Sequence, residues 1–488
     1  MKTLIAAAIA AAFAMPAAWA WDQQDNRYRV AIDAAAKRAT VEADVWVDGR
    51  TVALYGVQPV DKLPNGQADF IERIEAAGAD GKPIAVTNKG EGDFELAQGD
   101  RRVRLRYTIR LEHDRYAWPG GSEEVLYHTD EGLMSVGYTL FVVPVDKMHG
   151  NTQVEFDLPA GWQARTPWKP AAGGKGFVAG SRRELVDNAL FLGTAQVEQF
   201  ETGGVTLSIV YGKRYWPQRQ VFREMLERQL QTYVSMFGRP LQDRYLLVIN
   251  QGDSGDGGAF MASFSQYMRG DANAESRFLW GRVLSHELLH FWNGHTLVPA
   301  DGKEEWFKEG VTDYFTIATM ARNGLLDKRH LLNWLENLAR GQTVARQLQG
   351  LKMPTREAAA DKHRNWLLVY GGGSIAALAL DVELRRATGD RHGLHDVMRA
   401  MFAEFGQPGK RYALEDIVRV TKAVTGQDVE ALLRRIVADP TPYDLAPVFA
   451  GIGLQLENYI YLEQTLINHP AATLAQKKRF ADIFGMPF

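Results

Sequence analysis

The chain reads as an α+β multidomain protein, β-rich in its amino-terminal half and helical towards its carboxy terminus. Three observations carry that reading. Up to about Gly212 the apolar residues alternate in short runs, and after Tyr215 they recur at three- and four-residue steps. The punctuation changes with them, from turn residues at close intervals to single glycines that close longer segments.

The first twenty residues, MKTLIAAAIAAAFAMPAAWA, place Lys2 before an Ala-rich apolar run and end in Ala18-Trp19-Ala20, the pattern of a secretory leader cleaved after Ala20. The run falls short of the roughly 20 residues a membrane-spanning helix needs, and Pro16 interrupts it. Export to the periplasm or beyond is expected, without a stable membrane anchor. From Tyr28 to Gly212, "ATVEADVWV", "RRVRLRYTIRLEH", "TQVEFDL" and "VTLSIVYG" read as strands, with "PNGQ", "ADGKP", "PGG" and "LPAGW" as turns. A β-sandwich-like domain over 21–212 is the expectation. "WPQRQVFREMLERQLQTYVSMFG" then predicts a helix with Pro217 near its start and Gly238 as its stop, followed by a strand "RYLLVIN" and a Gly-rich stretch "QGDSGDGGAFMASFSQY". A second domain over 213–400 and a helical region over 401–488 complete the order, with "SIAALALDVELRRATG", "LHDVMRAMFAEFG" and "ALEDIVRVTKAVTG" each closed by Gly.

Composition narrows the chemistry. Cysteine is absent, which removes disulfides, thiolate metal ligands and a cysteine nucleophile. A net charge of -3 is close to balance and gives no footing for a nucleic-acid or anionic-membrane partner.

Residues 285–295 read "SHELLHFWNGH". A helix turns about 100° per residue, so His286 and His290 lie on one face and their imidazoles can converge on one cation. Zinc in a hydrolytic site takes three protein ligands and keeps a position for water, and Glu287, beside that face, is placed to take the water's proton. The third ligand has two candidates. His295 is out of register, pointing roughly 140° from His290 on a continued helix, and Gly294 is expected to end that helix. Glu309 follows His290 after eighteen residues, on a second helix predicted to begin near Lys303. The turn "VPADG" lets that helix return antiparallel to the first and bring Glu309 opposite the histidines. Asp313, one turn further on, is positioned to accept the free ring N–H of a ligand histidine.

HELLH, the eighteen-residue gap and "EEWFKEGVTDYF" resemble the gluzincin metallopeptidases. The spacing and the Gly310 after Glu309 are shared with the aminopeptidase N and leukotriene hydrolase family. The run His290-Phe291-Trp292-Asn293, the β-rich first half, "YGGGSIAALALDVELRRATG" and "PYDLAPVFAGIGLQLE" look like the glycyl aminopeptidase family, which the chain resembles over most of its length. The resemblance implies a thermolysin-like catalytic domain, one Zn2+ per chain, a peptide or protein substrate, and Tyr370 as hydrogen-bond donor to the oxyanion. It also implies that Gly257, Gly258, Ala259 and Phe260 line the substrate cleft. Two positions depart from the pattern. Gly372 stands where a Lys is common, and Phe260, followed by Met261, stands where exopeptidases place the acid that holds a substrate's α-ammonium; Asp253, Asp256, Glu304 and Glu305 are the substitutes within reach. Relatives often carry a carboxy-terminal PDZ domain, and about thirty residues follow "GIGLQLE", too few for one.

Other motifs carry less. "GDSGDGG" around Ser254 imitates a serine-protease nucleophile loop, but Asp256 interrupts it and no matching His and Asp segments precede it; the acids of an EF-hand are missing as well. His363 and Arg364 are expected in a solvated loop. The sequence thus predicts an exported zinc metallopeptidase, probed against two alternatives: a peptide-binding scaffold on the same fold without turnover, and a hydrolase of non-peptide substrates.

Overall fold

The computed structural model describes residues 25–252, 255, 257–273, 276–458 and 463–488. The leader expected over 1–20, with its cleavage after Ala20, lies outside the described residues, as do Asp253, Ser254 and Asp256. Packing divides the chain into two compact units, Met1–Ala195 and Gln196–Phe488.

The first unit holds an eight-stranded sheet and two four-stranded sheets. At the middle of the largest, Arg38–Val47 runs antiparallel to Arg101–Arg110, with Val41 opposite Tyr107, Ala43 opposite Leu105 and Val45 opposite Val103. Those side chains are buried, and the intervening charged residues stand on the other face, where Arg102 pairs with Asp44 at 2.6 Å. The period of two in the sequence is the signature of that one-sided burial. Inward residues of all three sheets, among them Val30, Val52 and Leu190, close on one core.

The boundary expected near Gly212 falls earlier. Gln196–Thr202 and Val205–Tyr211 form a hairpin, and Val205–Tyr211 pairs in parallel with Arg244–Gln251, so both strands belong to the five-stranded sheet of the second unit. Parallel strands need a crossover, and the helix Arg219–Phe237 supplies it, burying Phe222, Leu226, Leu230 and Tyr233 and stopping at Gly238 with φ 92°. Arg244–Gln251 is buried from Tyr245 to Asn250, as the central strand of a covered sheet should be. Part of the Gly-rich stretch is itself a hairpin: Gly257–Phe260 pairs with Ser263–Met268 and forms one edge of the sheet.

The second unit shows no division at residue 400. One core runs from Phe200 to Phe484 and takes in Leu394–Phe405 and Leu414–Thr425. The tail is not wholly helical either: Leu454–Asn458 pairs with Gln464–Asn468 before a last helix, Leu474–Phe484. The alternation of Leu454 and Leu456 within "GIGLQLE" is the local signal for that strand. Through the centre of the unit passes Gly373–Thr388, buried round most of its surface. With the turn before it, the run Leu367–Thr388 has the length and composition to cross a membrane, but 72% of its apolar window is buried in the protein, so it is a core helix.

Candidate metal centre

The helix Arg277–Leu289 packs against the edge strand Gly257–Phe260, so closely that a Cβ on Gly257 would lie 3.3 Å from Val283 Cγ1. Trp280, Leu284 and Leu288 anchor its buried side. The helix ends at Leu289 with His290 as its cap, earlier than the Gly294 stop expected, and the chain then reverses through Gly294 at φ 132°. His290 keeps its helical φ and ψ, so the i, i+4 relation to His286 survives.

The returning segment differs from a plain helix. A turn at Gly302–Glu304 leads into a π-helical turn, Trp306–Gly310, before regular helix resumes over Val311–Arg322. Glu309 sits in the π turn. Asn293 fastens the two segments together: its buried Nδ2 donates to the Phe307 and Lys308 carbonyls and to Thr312 Oγ1, each at 3.1 Å.

His286, His290 and Glu309 converge. Glu309 Oε2 is 3.3 Å from His286 Nε2 and 3.3 Å from His290 Nε2, and all three side chains are buried. Four ligands at the roughly 2.0–2.1 Å bond lengths of zinc, set tetrahedrally, stand about 3.3–3.4 Å apart, so the spacing and the N,N,O donor set both fit a zinc ion. The other ring nitrogens are held as well. His286 Nδ1 is 3.3 Å from Asp313 Oδ1, and His290 Nδ1 donates to the Asn293 carbonyl at 2.7 Å, which directs both Nε2 atoms to the centre. Arg282, one turn before His286, grips Asp313 through Nε at 3.0 Å and Nη2 at 2.8 Å.

The electrostatics follow from crowding charges in a buried place. Burial alone would lower the pKa of His286, but hydrogen bonds to Asp313 and Glu309 and the charge of Glu287 push it up to about 9. Asp313 moves the other way: against the cost of burial, Arg282 and His286 hold it at about 2. Burial likewise opposes Glu309, yet Lys308, Lys362 and the histidines keep its carboxyl well below the usual range. Glu287 rises because burial outweighs the histidines' pull. Tyr370 lies with its ring 5.9 Å from that of His286, and burial with the charges of Glu309 and Glu287 pushes its phenol up, keeping it a donor. Like Glu309, it is carried on a π-helical turn, Leu367–Gly372.

Other expected residues divide. His295 is outside the trio, its ring 6.3 Å from that of His290. Phe260 is 4% exposed, so its side chain fills the core while its backbone lies at the sheet edge. Glu304, one of the substitutes considered for the missing acid, is buried and occupied by Arg356 and by Trp306 Nε1. Glu305 pairs with Lys308 at 3.4 Å. His363 and Arg364 are exposed.

Two contributors escaped sequence reasoning. Arg282 had a signal, since it precedes His286 by four residues and so shares its face. Lys362 had almost none: it comes from a loop, and its Nζ lies 3.0 Å from Glu309 Oε1. Gly372 leaves the family's lysine place empty, yet an ammonium group still stands at the centre.

A helix offering two histidines to a glutamate on the returning segment, beside the edge of a mixed sheet, is the architecture of the gluzincin metallopeptidases. Family models match at two places, the Peptidase M61 N-terminal domain over residues 27–194 and the M61 glycyl aminopeptidase over residues 280–371, and the chain belongs to the M61 glycyl aminopeptidase family. An aminopeptidase N family protein from Idiomarina loihiensis has a similar structure, with a TM-score of 0.75 at 18% identity over 89% of this chain and 79% of its own. The M1 zinc metallopeptidase of Deinococcus radiodurans matches with a TM-score of 0.56 at 15% identity, over 87% of this chain and 95% of its own, and one of its structures is a Glu-to-Ala variant bound to a Tyr-Ser-Ala substrate. Those likenesses are of fold alone. No curated protein matches the chain.

Proposed function

We propose that this chain is an exported zinc peptidase that hydrolyses peptide bonds, with His286, His290 and Glu309 as the metal ligands. The observation that carries the reading is the mutual 3.3 Å spacing of Glu309 Oε2 with the two Nε2 atoms, each histidine being fixed from behind. Zinc held there supplies a Lewis acid and a coordinated water whose pKa falls to about 7. Glu287, adjacent in sequence to His286, takes a proton from the attacking water and passes it to the leaving amine. Its raised pKa suits a group that must both accept and return a proton. The Tyr370 hydroxyl donates to the oxyanion as it develops, an effect typically contributing about 3–4 kcal/mol. Asp313 holds His286, and Lys362 with Lys308 holds the outer oxygen of Glu309. The edge strand Gly257–Phe260 offers backbone N–H and C=O groups along which a peptide pairs as an added strand.

Glu287→Gln is the direct test: it should abolish hydrolysis while the protein still binds one zinc ion, and full activity in that variant would sink the mechanism. Trimming from the amino end is the first reading of specificity, following the family. Cleavage within a chain is the second, favoured by the buried Phe260 and the occupied Glu304. Digesting a mixed peptide library with free and with acetylated amino termini separates them, since cleavage that survives acetylation rejects the aminopeptidase. Export rests on the leader sequence alone, and the intact mass of the protein recovered outside the cytoplasm should begin at Trp21.

A further inference from the structure

Away from the metal centre the second unit holds a cavity of about 490 Å³. It lies among the helices Arg219–Phe237, Val311–Arg322, Gly373–Thr388, Leu394–Phe405 and Leu474–Phe484. On Val311–Arg322 the cavity is lined by Tyr314, Phe315, Ala318 and Arg322. At 100° per residue these fall roughly 100–200° round from Asp313, so the cavity faces away from the side of that helix that meets the metal centre.

Its lining is unusually cationic for a chain with net charge -3: Arg228, Arg322, Arg385 and Arg399 face one carboxylate, Asp381. That carboxylate is committed. Asp381 is 2% exposed and accepts from Arg385 Nε at 3.1 Å, from the Leu394 N–H at 2.7 Å and from the Tyr314 hydroxyl at 2.5 Å. The arginines are tethered mainly through backbone carbonyls: Arg228 on Asn323, Arg322 on Ile483, Arg399 on Met236 and Ser235. Among the described residues none of those three forms an ion pair. Arg385 is 7% exposed, yet among the described residues it is hydrogen-bonded through Nε alone. Its Nη groups are not among the sealed, unsatisfied atoms, so they open on the cavity. His395, also in the wall, has its pKa lowered by burial and so adds no charge at neutral pH. Asp482, on the last helix, pairs with Lys478, and its charge also reaches Arg322 and Arg385.

We propose that this cavity binds a small organic or inorganic polyanion, recognised through carboxylate or phosphate oxygens by the guanidinium groups of Arg322, Arg385 and Arg399. The planar fork of an arginine matches either oxyanion with two parallel hydrogen bonds. The volume lies within the range of small-molecule sites, about 300–1,000 Å³. Partial burial, followed by the charge of Arg385, lowers the pKa of Arg322, while, against burial, Asp381 raises that of Arg385. The proposal is independent of the peptidase reading, since no metal ligand and no residue of the edge strand lines the cavity.

Isothermal titration of the zinc-loaded protein with inorganic phosphate and, separately, with succinate tests it, at ionic strength held constant with sodium chloride. At least one anion should bind saturably with one-to-one stoichiometry, and the stronger of the two identifies the phosphate or the carboxylate class. Arg322→Gln and Arg399→Gln should each weaken binding by about tenfold or more, the worth of a charge-assisted hydrogen bond. Glu287→Gln, on the other side of the helix, should leave it unchanged. Each substitution gives up hydrogen bonds to carbonyls of a neighbouring helix, so thermal unfolding without ligand should show a somewhat lowered but still cooperative transition, and binding is compared between the folded variants. Absence of saturable binding up to on the order of 10 mM, or equal binding by wild type and both variants, overturns the proposal.

Discussion

Replacing Asp313 separates what the second layer of the site contributes from what the ligands contribute. In Asp313→Asn one oxygen remains to accept from His286 Nδ1, while the charge that faces Arg282 is lost. In Asp313→Ala both contacts go. Groups that orient a metal-bound histidine are typically worth about 10–100-fold in affinity, or roughly 1.4–2.7 kcal/mol. Asp313→Ala should reach that range and Asp313→Asn fall short of it. The apo protein should also lose about 1–2 kcal/mol, because the Arg282 side chain is 36% exposed and its ion pair is partly screened. Proton competition gives a second readout. Zinc must displace a proton from His286, whose pKa stands at about 9, so wild-type affinity should rise about tenfold per pH unit up to pH 9 and flatten above it. Without Asp313 the pKa of His286 falls, and the plateau should begin at lower pH. Competition with a chelator across this pH range, with urea unfolding of the apo protein as the control, measures both. A folded Asp313→Ala protein with wild-type zinc affinity at pH 9 would refute the role assigned to Asp313.

Three further outcomes are expected. In the first unit His113 is fully buried, stacked on Phe70 at 3.8 Å, with its pKa lowered to about 3 by burial. The unfolded chain therefore binds the extra proton first, so stability should fall as pH drops from about 6.5 to about 3, by at most about 5 kcal/mol, and His113→Phe should flatten that fall in pH-dependent urea unfolding. Gly310→Ala should destabilise by about 3 kcal/mol or more and weaken zinc binding, because its Cβ would strike the backbone of Gly373 in the core helix, a clash readable by thermal unfolding and metal content. Lys362→Met should lower kcat/KM by about tenfold in a zinc-saturated peptidase assay, since one charged hydrogen bond to Glu309 is removed while Lys308 remains.

How much the residues disclose depends on the range of the relation between them. His286, His290 and Glu287 are legible because a single helical turn relates them, and Glu309 because a helix, a short turn and a returning helix have little freedom. Asp313 follows from Glu309 by the same periodicity. The hairpin Gln196–Tyr211 lies on the far side of the expected boundary because its alternation is the same whichever sheet it joins, and only its parallel pairing with Arg244–Gln251 decides. The strand at Gly257–Phe260 is hidden by its glycines, and Lys362 by the absence of any periodic relation between a loop and the site it reaches. The division expected at residue 400 fails for the opposite reason: helical segments on either side of a composition change can share one core.

The two π-helical turns, Trp306–Gly310 and Leu367–Gly372, carry Glu309 and Tyr370 and pack against each other. Each admits one residue more than an α-helical turn, rotating the downstream helix by about a quarter of a circle. The centre is therefore tuned by residue count as well as by residue identity. Removing a single amino acid from either turn, with every ligand and every core side chain still present in the sequence, would relax that turn to ordinary helix and swing its functional side chain out of line. On the proposed mechanism the extra residue in each turn is itself a functional character, and comparison by substitutions alone would pass over it.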